Sequence, residues 1–160
     1  MNAGLANLDT LKRHLLPSGL QAEATFDSLL LTLGLGVLAS FEGLCNRRFL
    51  RVSGDVATFT ADRLHYMLPR YPLETVTKIE RRSNLAQTWE DLGTPSTALW
   101  QMNEAAGMVR SAGIMGLFTS QIRITYTGGF WWDTSEPGDA DYPQAMPVGA
   151  APLPDDLRTA

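Results

Sequence analysis

The chain has 160 residues, of which 44% are hydrophobic and 19% are charged, with a formal net charge of −4 at pH 7. These values are typical of a soluble globular protein of one domain and exclude a disordered or low-complexity chain. The negative net charge argues against a protein built to attract nucleic acid. The single cysteine, Cys45, permits no internal disulfide, and the N-terminus lacks the basic and apolar segments of a signal peptide, so synthesis inside the cell is expected.

Two helices are predicted at the N-terminal end. Residues 5–16 carry leucines at helical spacing, and a Pro-Ser-Gly turn follows at residues 17–19. From Ala22 to Phe49, apolar side chains recur at steps of three and four residues over about seven turns, and no proline interrupts them. The sequence therefore predicts one long helix over this range, with the shorter first helix packed against part of it.

The middle of the long helix is unusually apolar for a surface helix. Between Leu29 and Phe41 the only polar side chains are Thr32 and Ser40, and a helix that is apolar on every side must be covered on every side. This run of about 13 residues is shorter than the roughly 20 that a bilayer span needs, which excludes a membrane segment. We therefore expect the rest of the chain, or a neighbouring subunit, to cover the helix.

Small and basic residues mark other points of this helix. Gly34 and Gly36 each weaken it by up to about 1 kcal/mol relative to alanine, so they indicate either the close approach of another helix or a bend. Cys45 lies on the apolar side and is expected to be a small buried hydrophobe. Arg47 and Arg48 place positive charge at the C-terminal end, where the helix dipole favours it.

After Phe49 the helical spacing gives way to partial alternation of apolar and polar residues between turn signals. Strands are predicted at Arg51–Ala61, Arg63–Leu68, Thr75–Arg81, Thr88–Leu92, Leu99–Asn103, Gly107–Ser111 and Gln121–Thr127. Helices first and strands after indicate an α+β fold with a mainly antiparallel sheet. We expect a single domain over residues 1–160, with a helical part at 1–50, a β part at 51–127, and an irregular arm and the start of a C-terminal helix at 128–160.

The last segment of the chain is rich in glycine and proline, which favours irregular structure, and irregular segments of this length are usually functional or disordered. Its aromatic residues, Phe130, Trp131 and Trp132, are expected to be exposed. They fit three roles: a platform for sugar stacking, an anchor at a protein interface, or a plug for the local core. Leu153–Ala160 has the pattern of a helix start, with a proline and two acids in the first turn.

The sequence contains no arrangement of residues typical of an enzyme, a metal site or a cofactor site. His14 and His65 fall on different predicted elements, with no cysteine or second histidine at ligand spacing. The acidic pairs Glu90–Asp91 and Asp155–Asp156 are adjacent in sequence, so their side chains diverge instead of converging on a substrate. Neither a nucleophile-elbow motif nor a phosphate-binding loop occurs. No catalytic activity, metal or cofactor is therefore expected.

Two basic clusters are the remaining candidates for binding. Asn46–Arg51 follows the long helix, and Lys78–Arg82 ends a strand. Aromatic neighbours would suit single-stranded nucleic acid. Arginines at the ends of helices and strands are common, however, and this structural role is the stronger interpretation. If the clusters bind a partner, an acidic protein surface fits as well as phosphate.

Several short motifs follow one another along the chain: LDTLKRHLL in the first helix, NRRF at the end of the long helix, then YPLETVTKIERR, ITYTGGF and LPDDLRTA. The two most informative are Tyr71–Leu73 followed by Val76 and Ile79, and Tyr126–Phe130 followed by Leu153–Leu157. In this order, and over nearly the whole chain, they resemble the head–tail connector family (adaptor or head-completion proteins) of tailed bacteriophages.

This resemblance implies a structural protein of the virion neck, made in the cytoplasm of a bacterial host. Proteins of that family form a ring, commonly of twelve copies, beneath the portal of the filled capsid, where they extend the DNA channel and dock the next neck or tail protein. The implied partners are further copies of the chain, the portal protein, that neck or tail protein, and double-stranded DNA that passes without sequence recognition. In the family, a helix after the LPDDL-like residues docks on the portal side. Here that helix is nearly absent, so we expect either that the chain is shortened or that this contact differs.

A ring would also explain the apolar helix, because extra surface would be buried between copies. The candidate interface residues are Leu33, Gly34, Gly36, Val37, Arg47, Arg48, Phe130, Trp131, Trp132, Leu153, Asp155 and Leu157. One alternative is a neck or tail-completion (tail-terminator) protein of the same virion, expected as a hexamer. The others are a carbohydrate- or peptide-binding module that uses Trp131 and Trp132, and a small enzyme, which the lack of acid and base groups disfavours.

Overall fold

A computed structural model of the protein describes residues 8–93, 99–116, 119–133, 140 and 143–154. The helices are α1 Leu8–Leu15 and α2 Asp27–Cys45, with a short 3₁₀ helix at Ser18–Leu20 between them. The strands are β1 Val52–Thr60, β2 His65–Met67, β3 Leu73–Arg82, β4 Glu90–Asp91, β5 Trp100–Asn103, β6 Met108–Ser111, β7 Gln121–Gly128, β8 Phe130–Trp131 and β9 Ala151–Pro152. The α+β class is confirmed, and β1 to β7 correspond to the seven predicted strands.

The chain forms two compact units. The helical unit consists of residues 1–46, 131–148 and 152–160 and contains α1 and α2. The sheet unit consists of residues 47–130 and 149–151 and contains β1 to β7. Each unit is described below by itself.

Helix α2 is shorter than the helix predicted over Ala22–Phe49, and the backbone at each end explains why. At the C-terminal end, Asn46 adopts a left-handed conformation (φ 47°, ψ 47°), and its N–H donates to carbonyl oxygens of the last helical turn. Asparagine tolerates this conformation better than most residues, so the chain leaves the helix there although the apolar spacing continues. At the other end, the residues before Asp27 form turns.

In the helical unit, α1 packs against α2 as predicted, and a buried lysine joins them. Lys12 is 8% exposed; its Nζ donates to the carbonyl oxygen of Glu23 at 2.9 Å and pairs with Asp27 Oδ1 at 2.5 Å. A buried ammonium group without acceptors is costly, so these contacts fix α1 on the start of α2. Leu30 is the single buried residue of α2, which shows that α1 covers only a small part of the longer helix.

Two antiparallel sheets make up the sheet unit. The first has the strand order β1-β7-β3-β4, and the second has the order β2-β6-β5. Strands β5 and β6 pair with each other, with Trp100 opposite Ser111 and Asn103 opposite Met108. In the first sheet, β7 lies between β1 and β3 and pairs with both along nearly its whole length.

The core of the sheet unit follows from the alternation in β7. Ile122, Ile124 and Tyr126 share one face of the strand and are fully buried. They pack with buried side chains from both sheets, which include Tyr66, Leu68, Val76, Ile79, Trp100 and Val109. The opposite face of the four-stranded sheet is therefore polar, and it carries Gln121 and Arg123 beside their cross-strand neighbours on β3.

The irregular C-terminal segment contains one regular pairing. Strands β8 and β9 form a two-stranded sheet, so the irregular structure predicted for the glycine- and proline-rich segment is wrong at these points. Gly129, between β7 and β8, has a φ of +100°, and a Cβ at this position would lie 2.7 Å from the carbonyl oxygen of Leu50. Only glycine fits such a backbone, which explains the second glycine of the ITYTGGF motif.

Candidate functional site

One side of α2 presents a row of large apolar side chains on its surface. Leu29, Leu33, Val37, Phe41 and Leu44 follow one another at steps of four and three residues, which places them on one side of the helix. Their exposed fractions are 55%, 54%, 56%, 49% and 86%. Contiguous exposed apolar surface of this kind marks interaction sites. We call these five residues the α2 stripe; it includes the predicted interface residues Leu33 and Val37.

The exposure of α2 bears on the predictions made for Cys45 and for the two glycines of the helix. Cys45 is exposed and not buried, because the described residues leave the end of α2 uncovered. Gly36 is exposed and Gly34 is partly buried. A Cβ built on Gly36 meets no atom of the described residues within 4 Å. If Gly36 marks a close helix contact, the partner is therefore not one of the described elements of this chain.

Helix α2 also meets the criteria of length and composition for a membrane span. It has 19 residues and a mean hydropathy of 1.7, and its rise of about 28 Å is close to the roughly 30 Å of a bilayer core. The predicted apolar run of about 13 residues therefore underestimates its apolar length. The hydroxyls of Thr32 and Ser40 donate to backbone carbonyl oxygens of α2 at 2.8 and 2.9 Å. These properties indicate that α2 needs apolar cover, but they do not distinguish protein from lipid.

In the sheet unit, three aromatic rings surround Arg47. Its guanidinium carbon lies 3.6 Å from the centroid of the Tyr71 ring, 4.9 Å from that of Phe130 and 5.2 Å from that of Phe49. The guanidinium also donates to the carbonyl oxygen of Tyr71. Cation–π contacts contribute about 0.5–2 kcal/mol each, depending on burial. Arg47 therefore stabilises the start of the sheet unit, and Phe130 takes part in the same cluster.

Of the other two arginines in the first basic cluster, Arg51 forms an ion pair within the fold and Arg48 has an exposed side chain. Arg51 donates two hydrogen bonds to the carboxylate of Glu74 at 2.7 and 2.8 Å. The backbone N–H of Arg48 donates to the carbonyl oxygen of Pro69 at 2.7 Å, and the residue is exposed. The structural interpretation is thus supported for Arg47 and Arg51, whereas Arg48 lies at the surface.

The second basic cluster lies on the polar face of the four-stranded sheet and is organised by a tryptophan. The guanidinium carbons of Arg82 and Arg123 lie 4.6 and 4.3 Å from the centroid of the Trp89 ring. We call these three residues the Trp89 platform. The sequence analysis did not single out Trp89; its one signal is an aromatic residue in the short strand predicted after Lys78–Arg82.

A buried carboxylate lies beside the platform. Glu80 is 5% exposed; it accepts a hydrogen bond from Arg123 Nε at 2.7 Å and pairs with Lys78 Nζ at 2.8 Å. These two contacts favour the ionised form and lower the pKa of Glu80 from 4.5 to about 2. Because the folded-state pKa is the lower one, the resulting stabilisation is fully present above pH 4.5 and is lost as the pH falls towards 2.

We expect Glu80→Gln to be less stable than the wild type at neutral pH, by at most about 3 kcal/mol. The difference should shrink as the pH falls below 4.5, because the unfolded wild-type chain then binds a proton at Glu80 that the folded protein binds only near pH 2. Urea unfolding over a series of pH values measures both effects. The matched control is Glu90→Gln, whose side chain is 62% exposed in its pair with Arg81 and should change stability little. A Glu80→Gln difference that does not vary with pH would contradict the assignment.

The three C-terminal aromatics differ in exposure. Trp132 is 9% exposed, so the expectation that all three are exposed is wrong, whereas Phe130 and Trp131 are partly buried. Leu153 is also buried, and its N–H donates to the carbonyl oxygen of Trp131 at 3.0 Å. Trp132 and Leu153 are therefore both buried within the single chain. Two further predicted residues lie outside the described part of the chain: Asp155 and Leu157.

The described residues give little support for a metal site or a small-molecule binding site. Among them, no group of three or more histidine, cysteine, aspartate or glutamate residues is placed to hold a metal ion. A cleft of about 250 Å³ lies beside β5 and β6 and is lined by Leu99, Gln101, Arg110, Ser111 and Ala112. This volume is below the roughly 300–1,000 Å³ of typical ligand pockets.

No protein-family model and no curated protein sequence matches this chain. Among solved structures, the fold is similar to that of a chain in the neck of an empty gene transfer agent particle, a structure computed with C6 symmetry. The two chains are 23% identical and superpose with a TM-score of 0.55 over 79% of this chain and 66% of that chain. A chain from the virion of a native gene transfer agent particle has 20% identity and a TM-score of 0.48, again over 79% of this chain and 66% of that chain. The protein thus spans just under two thirds of the chains that it matches, and the first similarity establishes a shared fold.

Proposed function

We propose that this protein is a structural component of a virion neck that assembles as a ring. The observation that carries the proposal is the α2 stripe, whose five large apolar side chains are 49% to 86% exposed in the single chain. Burying them between copies removes apolar surface from water, which stabilises an assembly by about 25 cal/mol per Å². The fold shared with a chain of a gene transfer agent neck supports the same role.

The position of the ring in the particle, its neighbours and its DNA channel are proposed from the resemblance to head–tail connectors. The ring would lie beneath the portal, join the head to the next neck or tail protein, and extend the DNA channel. A net charge of −4 suits a channel through which DNA slides without sequence recognition. In this role the chain is structural and not an enzyme.

The nearest alternative is a tail-completion protein that forms a hexamer. A neck computed with C6 symmetry is compatible with rings of six or twelve subunits, so symmetry alone does not separate the two. The module that binds carbohydrate or peptide through Trp131 and Trp132 is less favoured, because Trp132 is buried in the single chain.

Native mass spectrometry of the purified full chain, alone and with the portal protein, tests the proposal. We expect a closed ring of defined copy number, with twelve copies supporting a connector and six a tail-completion protein. Flotation with phosphatidylcholine vesicles tests the lipid alternative for α2. A chain that stays monomeric with the portal present, or one that floats with vesicles, would overturn the proposed function.

Replacement of Gly36 by leucine separates folding from assembly. Because a Cβ at this position meets no atom of the described residues within 4 Å, we expect Gly36→Leu to keep the fold and to gain up to about 1 kcal/mol of stability from helix propensity. In the ring, the added bulk should weaken assembly if a neighbouring helix packs there. Thermal unfolding measures the first effect and native mass spectrometry the second. The matched control is Gly19→Leu, also in open space; equal assembly of both variants and the wild type would remove Gly36 from the interface.

A further inference from the structure

Charge is distributed unequally between the two units. The helical unit has ten acidic and three basic side chains in its sequence, a net charge of −7, whereas the sheet unit has ten basic and seven acidic side chains, a net charge of +3. The two values add to the −4 of the whole chain. Opposite net charges on two units of one chain favour association in which the acidic unit of one copy meets the basic unit of the next.

Within the sheet unit, Arg82 is placed to receive an acidic group. Its Nε and Nη2 donate to Gln121 Oε1 at 2.8 and 2.5 Å, and its guanidinium lies on Trp89. In the described part of the chain, its hydrogen-bonding partner is therefore a neutral amide and not a carboxylate. A guanidinium has five N–H donors, so further donors remain on a group that is already held in position.

The neighbours of Arg82 strengthen this reading. Arg123, whose guanidinium also lies over the Trp89 ring, is paired with the buried Glu80. Lys78 pairs with Glu80 at 2.8 Å and with Asp91 at 3.9 Å, so these four charges largely balance one another within the sheet. Arg82 thus carries the unbalanced charge of the platform. Because Trp89 and Gln121 fix its guanidinium, a carboxylate that binds there loses less side-chain entropy than one that pairs with a free surface arginine.

We propose that the Trp89 platform is the docking site for acidic side chains from the helical unit of a second copy of this chain. This inference rests on the proposed ring and identifies one of its contacts. It joins two different surfaces, the platform on one copy and the acidic helical unit on the next, which is the heterologous contact that closes a ring. The α2 stripe lies on the same helical unit, so the apolar and the ionic contacts both belong to the association of copies.

A second copy fits the platform better than nucleic acid does. Every copy that brought its platform to DNA would carry a net charge of −4 over its whole chain, which the phosphates repel. The same polar face also carries Glu80 and Asp91, which are opposite each other on β3 and β4. A carboxylate placed at Arg82 avoids both of these acids more easily than a continuous phosphate backbone does.

The test compares assembly of the full chain with that of Arg82→Glu, by sedimentation velocity at several protein and salt concentrations. We expect charge reversal at Arg82 to weaken association by roughly 30-fold or more. Raising the salt from about 50 to about 500 mM should weaken wild-type association on the order of tenfold. The control is Arg110→Glu, an exposed arginine on β6 of the other sheet, which makes the same change in net charge and should leave association nearly unchanged. Arg82→Gln, which removes charge without reversing it, should fall between the wild type and Arg82→Glu.

The outcomes distinguish this inference from the proposed function. Wild-type rings together with normal assembly of Arg82→Glu, or equal losses for the two charge reversals, would overturn the docking site and leave the ring intact. Loss of double-stranded DNA binding with assembly unchanged would assign the platform to phosphate and overturn the inference. If salt changes only the thermal unfolding of the monomer, the two units attract each other within one chain, which also overturns it. A wild-type chain that never forms rings with the portal would instead refute the proposed function. Thermal unfolding of each variant confirms that it is folded.

Discussion

Replacing both Leu33 and Val37 by glutamine is expected to convert the proposed ring into folded monomers. The two side chains are 54% and 56% exposed in the single chain, and glutamine is a good helix former, so the fold should lose no more than about 1 kcal/mol. Between copies, burying the exposed half of each side chain contributes about 0.8–1.5 kcal/mol, so association should weaken at least roughly tenfold. Native mass spectrometry and circular dichroism measure assembly and helix content on the same samples.

The matched control for this prediction is Leu35→Gln. Leu35 is 51% exposed, lies on the same helix, and is about 200° around it from Leu33. It therefore tests an equally exposed leucine outside the α2 stripe. The account requires a much smaller effect from Leu35→Gln. If the double variant and Leu35→Gln lose assembly equally, α2 contributes general hydrophobicity and not a defined face. If both assemble like the wild type, α2 is not part of the interface.

Arg47→Ala is expected to destabilise the sheet unit by about 2–4 kcal/mol. The estimate combines cation–π contacts with a hydrogen bond from a charged donor, and the rings of Tyr71, Phe130 and Phe49 lose their common neighbour. Arg47→Lys should recover only part of the loss, because an ammonium group lacks the planar face that stacks on Tyr71. Urea unfolding followed by tryptophan fluorescence gives the free energy of unfolding for each variant.

Arg48→Ala provides the comparison for Arg47. The two arginines are adjacent, and Arg48 is exposed, so its replacement should change the free energy of unfolding by less than about 1 kcal/mol. Similar values for Arg47→Ala and Arg48→Ala would show that the aromatic cluster does not stabilise the fold. Full recovery by Arg47→Lys would show that charge alone is required.

Local patterns predicted most of the secondary structure. The alternation of Ile122, Ile124 and Tyr126 with polar residues predicted both β7 and its buried face, since strand periodicity is set by the backbone. The ends of α2 could not be predicted in the same way. The left-handed conformation of Asn46 interrupts an apolar pattern that runs on to Phe49, and apolar spacing carries no information about such a cap.

The candidate site was less predictable because its contacts join distant parts of the chain. Arg47 contacts Tyr71 and Phe130 only after the sheets have formed. Trp89 and Arg123 likewise come together across β4, β3 and β7, and their sequence positions do not fix that register. Helical spacing showed that α2 needs cover but not which molecule supplies it, which is why the buried position predicted for Cys45 was wrong.

A reconstruction of particles that carry this protein, by electron microscopy at side-chain resolution, tests the central claim most directly. The account predicts density for the chain at a single vertex of the capsid, in a closed ring, with Leu33 and Val37 packed against a neighbouring copy. A chain found elsewhere in the particle, or a ring in which the α2 stripe faces solvent or a lipid layer, would contradict it.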